Sequence, residues 1–179
     1  MGPDDDSTVM GEAMRLVEEA RRVDAGYAGS TSPLRTDQLA GLMRNSGCHV
    51  EVFPFRSSLG AMALPRYAGL YPVFVNSAAD RTERVFALRH ELAHVLAGDV
   101  DEPLYLADDG YTSLQERVAD LFALADLVPG WWMRWISEDA NRFESEVARA
   151  VTDFAEGWPS ERIADRARLR IALFRACGT

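Results

Sequence analysis

Two stretches, 81–98 and 113–128, carry the strongest helical periodicity in the chain, and the first sets a condition that any fold must meet. Val85, Leu88, Leu92, Val95 and Leu96 form one aliphatic stripe along it, and Gly98 supplies a C-terminal stop. His90 and His94 fall nearly opposite that stripe, beside Ala87 and Ala97. The helix is therefore expected to be covered on both sides, with small residues where a second helix approaches closely. Two buried imidazoles and the carboxylate of Glu91 between them need partners, because unpaired polar groups are costly in an apolar interior. The fold has to bring those partners to the polar side of this helix.

The spacing His90-Glu91-Leu92-Ala93-His94 indicates what one partner is. Residues four apart on a helix share a face, so both imidazoles reach one cation, while Glu91 is rotated just enough to hold a water beside it. With three histidines in 179 residues, a shuffled chain gives this pattern on the order of a few times in a thousand. The second helix completes the set. Glu116 and Asp120 are again four apart, on a face shared with Ala119, Ala123 and Leu127. Glu116 is read as the third ligand. Asp120 is read as acceptor for the non-metal nitrogen of a ligand histidine, fixing its tautomer, the alternative being a cap or a pair with Arg117.

Two histidines and one carboxylate leave the fourth position of a single zinc ion open, the catalytic arrangement rather than the closed structural one. Other metals accept the same ligand types. The built-in carboxylate favours hydrolysis, with Glu91 as the base that takes a water proton and returns it to the leaving amine.

The rest of the chain reads as a single α+β unit at 9–179, zincin-like, with a small three-stranded sheet against a largely helical body. Residues 1–8, beginning MGPDDDST, are expected to be disordered; they are acidic and polar, the reverse of a signal peptide. A first helix is expected over 10–27, with Met14, Val17 and Ala20 or Arg21 on its stripe, and a second over 34–45 behind the cap Thr31-Ser32-Pro33. Short β-prone runs at 49–55, 59–65 and 70–76 point to an antiparallel or mixed sheet, with Pro54, Pro65 and Pro72 at edges or ends. Further helices are expected over 131–137, 139–156 and 159–176.

Composition narrows the class. The net charge of −9 argues against direct nucleic-acid binding. No apolar run approaches the roughly 20 residues of a membrane span. Two cysteines are too few for a disulfide framework, so a cytoplasmic setting is expected. The basic run Arg162, Arg166, Arg168, Arg170 and Arg175 reads as a solvated helix face, with docking of an acidic partner as the alternative.

The segments Arg84-Val85-Phe86-Ala87-Leu88-Arg89-His90-Glu91-Leu92-Ala93-His94-Val95-Leu96 and Glu116-Arg117-Val118-Ala119-Asp120-Leu121-Phe122-Ala123, running on to Leu127-Val128-Pro129, together resemble the ImmA/IrrE family of metallo-endopeptidases. The similarity is strongest over 69–129 and extends over 34–175. It implies zinc on His90, His94 and Glu116, catalysis by Glu91, and a protein substrate, characteristically a helix-turn-helix repressor. Ala93 stands where that family often has glycine, and Val118 where it often has an acidic residue.

Tyr105, Tyr111 and Tyr71 are candidates to donate to a developing oxyanion. Cys48-His49 has no matching second pair, so a structural role is expected. Trp131-Trp132-Met133-Arg134-Trp135 reads as core packing, with a peptide-binding wall as the alternative. The leading reading is an endopeptidase acting on a narrow intracellular protein substrate. Its competitors are a zinc hydrolase acting on a small amide or peptide-like biosynthetic intermediate, and a non-catalytic zinc-containing module that holds a partner. Glu91 counts against the last, since binding alone needs no base.

Overall fold

Local capping chemistry fixes the ends of the two long central helices. In the computed structural model, residues 3–24, 36–55, 59–101, 113–154 and 158–177 are described. They form α1 (Pro3–Val23), α2 (Thr36–Asn45), β1 (Cys48–Phe53), β2 (Ala61–Ala63), β3 (Tyr71–Asn76), α3 (Arg81–Ala97), α4 (Leu114–Leu127), α5 (Gly130–Ile136), α6 (Ala140–Phe154) and α7 (Ser160–Cys177). The Asp80 side chain accepts from the Glu83 N–H to open α3, and Gly98, at φ 85°, closes it by donating to the carbonyls of His94 and Val95. Ser113 opens α4 by accepting from the Glu116 N–H. The fold is α+β, as expected.

The sheet is mixed, in the order β1-β3-β2. β1 runs parallel to β3, with Val50 opposite Val73, and β2 runs antiparallel to it, with Ala63 opposite Val73. β2 is therefore a short edge strand, and it packs directly on α3. Gly60, just ahead of it, allows that approach: a Cβ there would lie 2.9 Å from the Ala87 Cβ.

Two apolar clusters meet at α4. Val118, Ala119, Leu121 and Phe122 join a core with α1, α2, the sheet and α3, including Leu16, Leu42, Val73 and Leu92. Ala123, Leu124 and Leu127 join a second core with Met133, Val147 and Ile171. Every residue from Arg117 to Leu124 is buried, so the middle of α4 is enclosed on all sides. α3 lies antiparallel against it, since Arg89 meets Asp126 at 2.5 Å while His94, further along α3, faces Glu116, earlier on α4. No described helix is long and apolar enough to cross a membrane.

Several expectations need correction. α1 opens at Pro3 and not at residue 10, so residues 3–8 are helical rather than disordered. The reason is tertiary: Asp5 and Asp6 bind the buried Arg117, and Asp6 also binds Arg168. The cap Thr31-Ser32-Pro33 lies outside the described residues. The arginines of α7 are not one solvated face. Arg166 and Arg170 are fully buried, whereas Arg168 and Arg175 are exposed. The tryptophan-rich α5 divides too: Met133 is in the core and Trp132 packs on it, but Trp131 and Trp135 are 50% and 70% exposed. Cys48 is buried in the core, which pushes its thiol up to about 12, and exposed His49 pairs with Glu51 at 3.1 Å.

Candidate metal centre

The antiparallel pairing of α3 and α4 sets His90 and His94 against the first turns of α4. His90 Nε2 lies 3.3 Å from Glu116 Oε2, His94 Nε2 lies 3.3 Å from Glu116 Oε1, and the two Nε2 atoms are 3.1 Å apart. Among the described residues, His90, His94 and Glu116 form the group whose ligand atoms converge, one from each lying within 4.8 Å of the others. The imidazoles are 12% and 14% exposed and Glu116 is 32% exposed, so the group is partly open to solvent. Glu116 sits in the opening turn of its helix, where the backbone N–H groups favour a carboxylate.

The opposite edge of each ring is also held. His90 Nδ1 donates to Asp120 Oδ1 at 2.9 Å, and His94 Nδ1 donates to Asp99 Oδ2 at 3.3 Å. A proton on each Nδ1 leaves each Nε2 as a lone pair aimed at the other and at an anionic carboxylate. Such a convergence of lone pairs is repulsive unless a cation, a proton or a metal ion, lies among them. Four donor positions about zinc at about 2.0–2.1 Å are separated by about 3.3–3.4 Å in a tetrahedron, close to the separations seen here. The donor set therefore fits zinc.

The electrostatics point the same way. Burial opposes a charged His90, yet its hydrogen bonds to Asp120 and Glu116 outweigh burial and push it up to about 10. His94 is likewise raised, against burial, by Asp99 and Glu116. Burial works to raise Glu116, but the two histidines hold it far below the usual carboxylate range. The pocket calls for positive charge.

Glu91, on the same helix, points to the sheet. Its Oε2 accepts from the Ala63 backbone N–H at 2.7 Å, so the edge strand fixes the carboxylate. Ala63 N–H is available because the alternate amide, that of Leu64, pairs with the Pro72 carbonyl in the sheet.

Asp120 is fully buried and pairs with His90, Arg162 and Arg166; Arg117 instead takes Asp5, Asp6 and Asp165. Asp120 thus faces His90, and the alternative of a cap or a pair with Arg117 is not realised. Tyr71 opens β3, half-buried against the α1–α3 core, with the Arg66 guanidinium 5.5 Å from its ring centre. Tyr105 and Tyr111 lie outside the described residues. Sequence reasoning missed Asp99, although it follows the Gly98 stop directly and a left-handed turn there folds the chain back towards His94. It also missed the Ala63 amide and the arginines behind Asp120.

The family model for the IrrE N-terminal-like domain, a peptidase family, matches residues 46–154. That span contains α3, α4 and the whole sheet. No curated protein and no solved structure matches the chain.

Proposed function

This chain belongs to the ImmA/IrrE family of metallopeptidases, and from that premise we propose that it is a zinc-dependent endopeptidase cleaving a specific intracellular protein. His90, His94 and Glu116 are the residues that would hold the ion. Bound there, zinc would supply Lewis-acid polarisation of a carbonyl and make a water acidic enough to deprotonate near neutral pH. Glu91 would accept a proton from the attacking water and return it to the departing amine. Asp120 and Asp99 keep the two rings in the tautomer that presents Nε2.

The observation that carries this reading is the joint geometry of α3. Two Nε2 lone pairs and the Glu116 carboxylate converge within 3.3 Å of one another, and Glu91, which lies between the two histidines in the chain, has its carboxylate tethered by the Ala63 amide. A purely structural site would need no such tethered base. A helix-turn-helix repressor as substrate, and a cytoplasmic setting, are carried by the family resemblance and the cysteine usage.

The test separates binding from chemistry. Glu91→Gln should retain one equivalent of zinc by elemental analysis but lose cleavage of a proteome-derived peptide library read by mass spectrometry. Persisting cleavage in that variant would reject Glu91 as the base. Glu116→Ala should lose the metal; full zinc occupancy there would remove Glu116 from the ligand set.

A further inference from the structure

The matched family span ends at residue 154, before Trp158 and α7, yet α7 reaches the back of the metal centre. Arg162 grips Asp120 with two nitrogens, Nε at 3.1 Å from Oδ2 and Nη2 at 2.9 Å from Oδ1 and 2.8 Å from Oδ2. Arg166 Nε adds a contact to Oδ2 at 2.8 Å. Asp120 is fully enclosed, so these two guanidinium groups and His90 account for its surroundings on the donor side. Arg162 is itself held in place. Its guanidinium lies 3.6 Å from the Trp158 ring centre, Trp158 meets Phe86 edge-on at 5.1 Å, and Phe86 lies 6.1 Å from the His90 ring. The contacts close a loop: His90, Asp120, Arg162, Trp158, Phe86 and back to His90.

We propose that Arg162, seconded by Arg166, is a positioning residue of the metal centre, acting through Asp120 to orient His90; the inference rests on His90 being a metal ligand. A carboxylate that accepts from a single imidazole can rotate about χ2 and swing its partner with it. Here each oxygen has its own guanidinium donor, so the plane of Asp120 is fixed and the direction of the Nδ1–H, hence of the Nε2 lone pair, is fixed with it. The planar fork of arginine is essential to this, because it binds both oxygens while stacking on the indole; an ammonium is a point charge that cannot do both in one fixed geometry. The α7 segment is thus part of the site rather than a helix packed behind it.

Three variants of the full chain test this. Zinc affinity is measured by competition with a chromogenic chelator, and the cobalt(II)-substituted protein reports ligand geometry through its visible bands. Arg162→Met, similar in length but without the fork, is expected to weaken zinc by about 10- to 100-fold and to shift the cobalt bands. Arg162→Lys keeps the charge and is expected to recover only part of that loss. Arg168→Ala removes an α7 cation that binds Asp6 and Asp165, away from Asp120, and is expected to leave zinc affinity within about two-fold of wild type even where it lowers the melting temperature.

Wild-type affinity and an unchanged cobalt spectrum in Arg162→Met would overturn the proposal. So would an equal loss in Arg168→Ala, which would make the effect one of helix docking. Where Arg162→Met does not fold, Arg162→Lys decides: weaker zinc with altered cobalt bands supports the proposal, and wild-type behaviour overturns it. Failure of the wild-type chain to take up zinc would instead reject the metal-centre reading itself.

Discussion

Replacing Asp120 by asparagine exchanges one oxygen for an NH2 group at almost constant shape, and it upsets the match of donors and acceptors around the side chain. The carboxylate accepts from His90 Nδ1, from Arg162 Nε and Nη2 and from Arg166 Nε, all between 2.8 and 3.1 Å, in a place with no solvent contact. An amide offers one acceptor oxygen. If that oxygen faces Arg166 and the Arg162 Nε, the NH2 confronts His90 Nδ1–H and Arg162 Nη2, donor against donor. The two guanidinium groups also lose their shared counter-charge. Removing one partner from a buried ion pair costs about 3–5 kcal/mol. At about 2–4 °C per kcal/mol for a chain of this size, the melting temperature should fall by roughly 6–20 °C. His90 escapes the clash by moving its proton to Nε2, which removes the lone pair meant for the metal, so zinc affinity should fall about 10- to 100-fold as well. Urea unfolding followed by circular dichroism in the presence of a chelator isolates the stability term, and chelator competition gives the second. A loss below about 1 kcal/mol would refute the claim that Asp120 is an obligate anion between three donors.

Two further perturbations probe the supports of the site. Gly60→Ala places a methyl group against Ala87, which has no rotamer to move, so stability should fall by about 1–3 kcal/mol in urea unfolding, and a loss under about 0.5 kcal/mol would show that β2 is not pressed on α3 as described. Asp6, held below the ordinary aspartate value chiefly by its hydrogen bond with Arg168, stabilises α1 above about pH 4 and loses that effect as the pH drops through its lower folded value. Asp6→Asn should therefore cost about 1 kcal/mol near neutral pH, with the gap from wild type narrowing as the pH is lowered below about 4; a gap independent of pH would assign the loss to something other than charge.

The chain's local order carried much of the fold and most of the site. His90, Glu91 and His94 were legible because a helix converts a spacing of four into a shared face, and Glu116 because the same spacing recurs on the next strongly periodic helix. The ends of α3 were equally local: Asp80 and Gly98 act within a turn of their own positions. Three β-prone runs gave three strands. That β1 pairs in parallel with β3, leaving β2 as the edge that supplies the Ala63 amide to Glu91, was a tertiary outcome, since strand composition says nothing about which neighbour a strand takes.

Buried charges were the hardest to read. The arginines of α7 look from sequence like a solvated row, because nothing within a few residues reveals that Asp120, 42 and 46 positions earlier, awaits Arg162 and Arg166. α1 reaches back to Pro3 for the same reason: its aspartates meet Arg117 and Arg168, more than a hundred residues away. Periodicity states which side of a helix is apolar, and so it placed the imidazoles and the third carboxylate. The counter-ion of a buried charge is set by which helices end up side by side, and only the assembled structure made that choice.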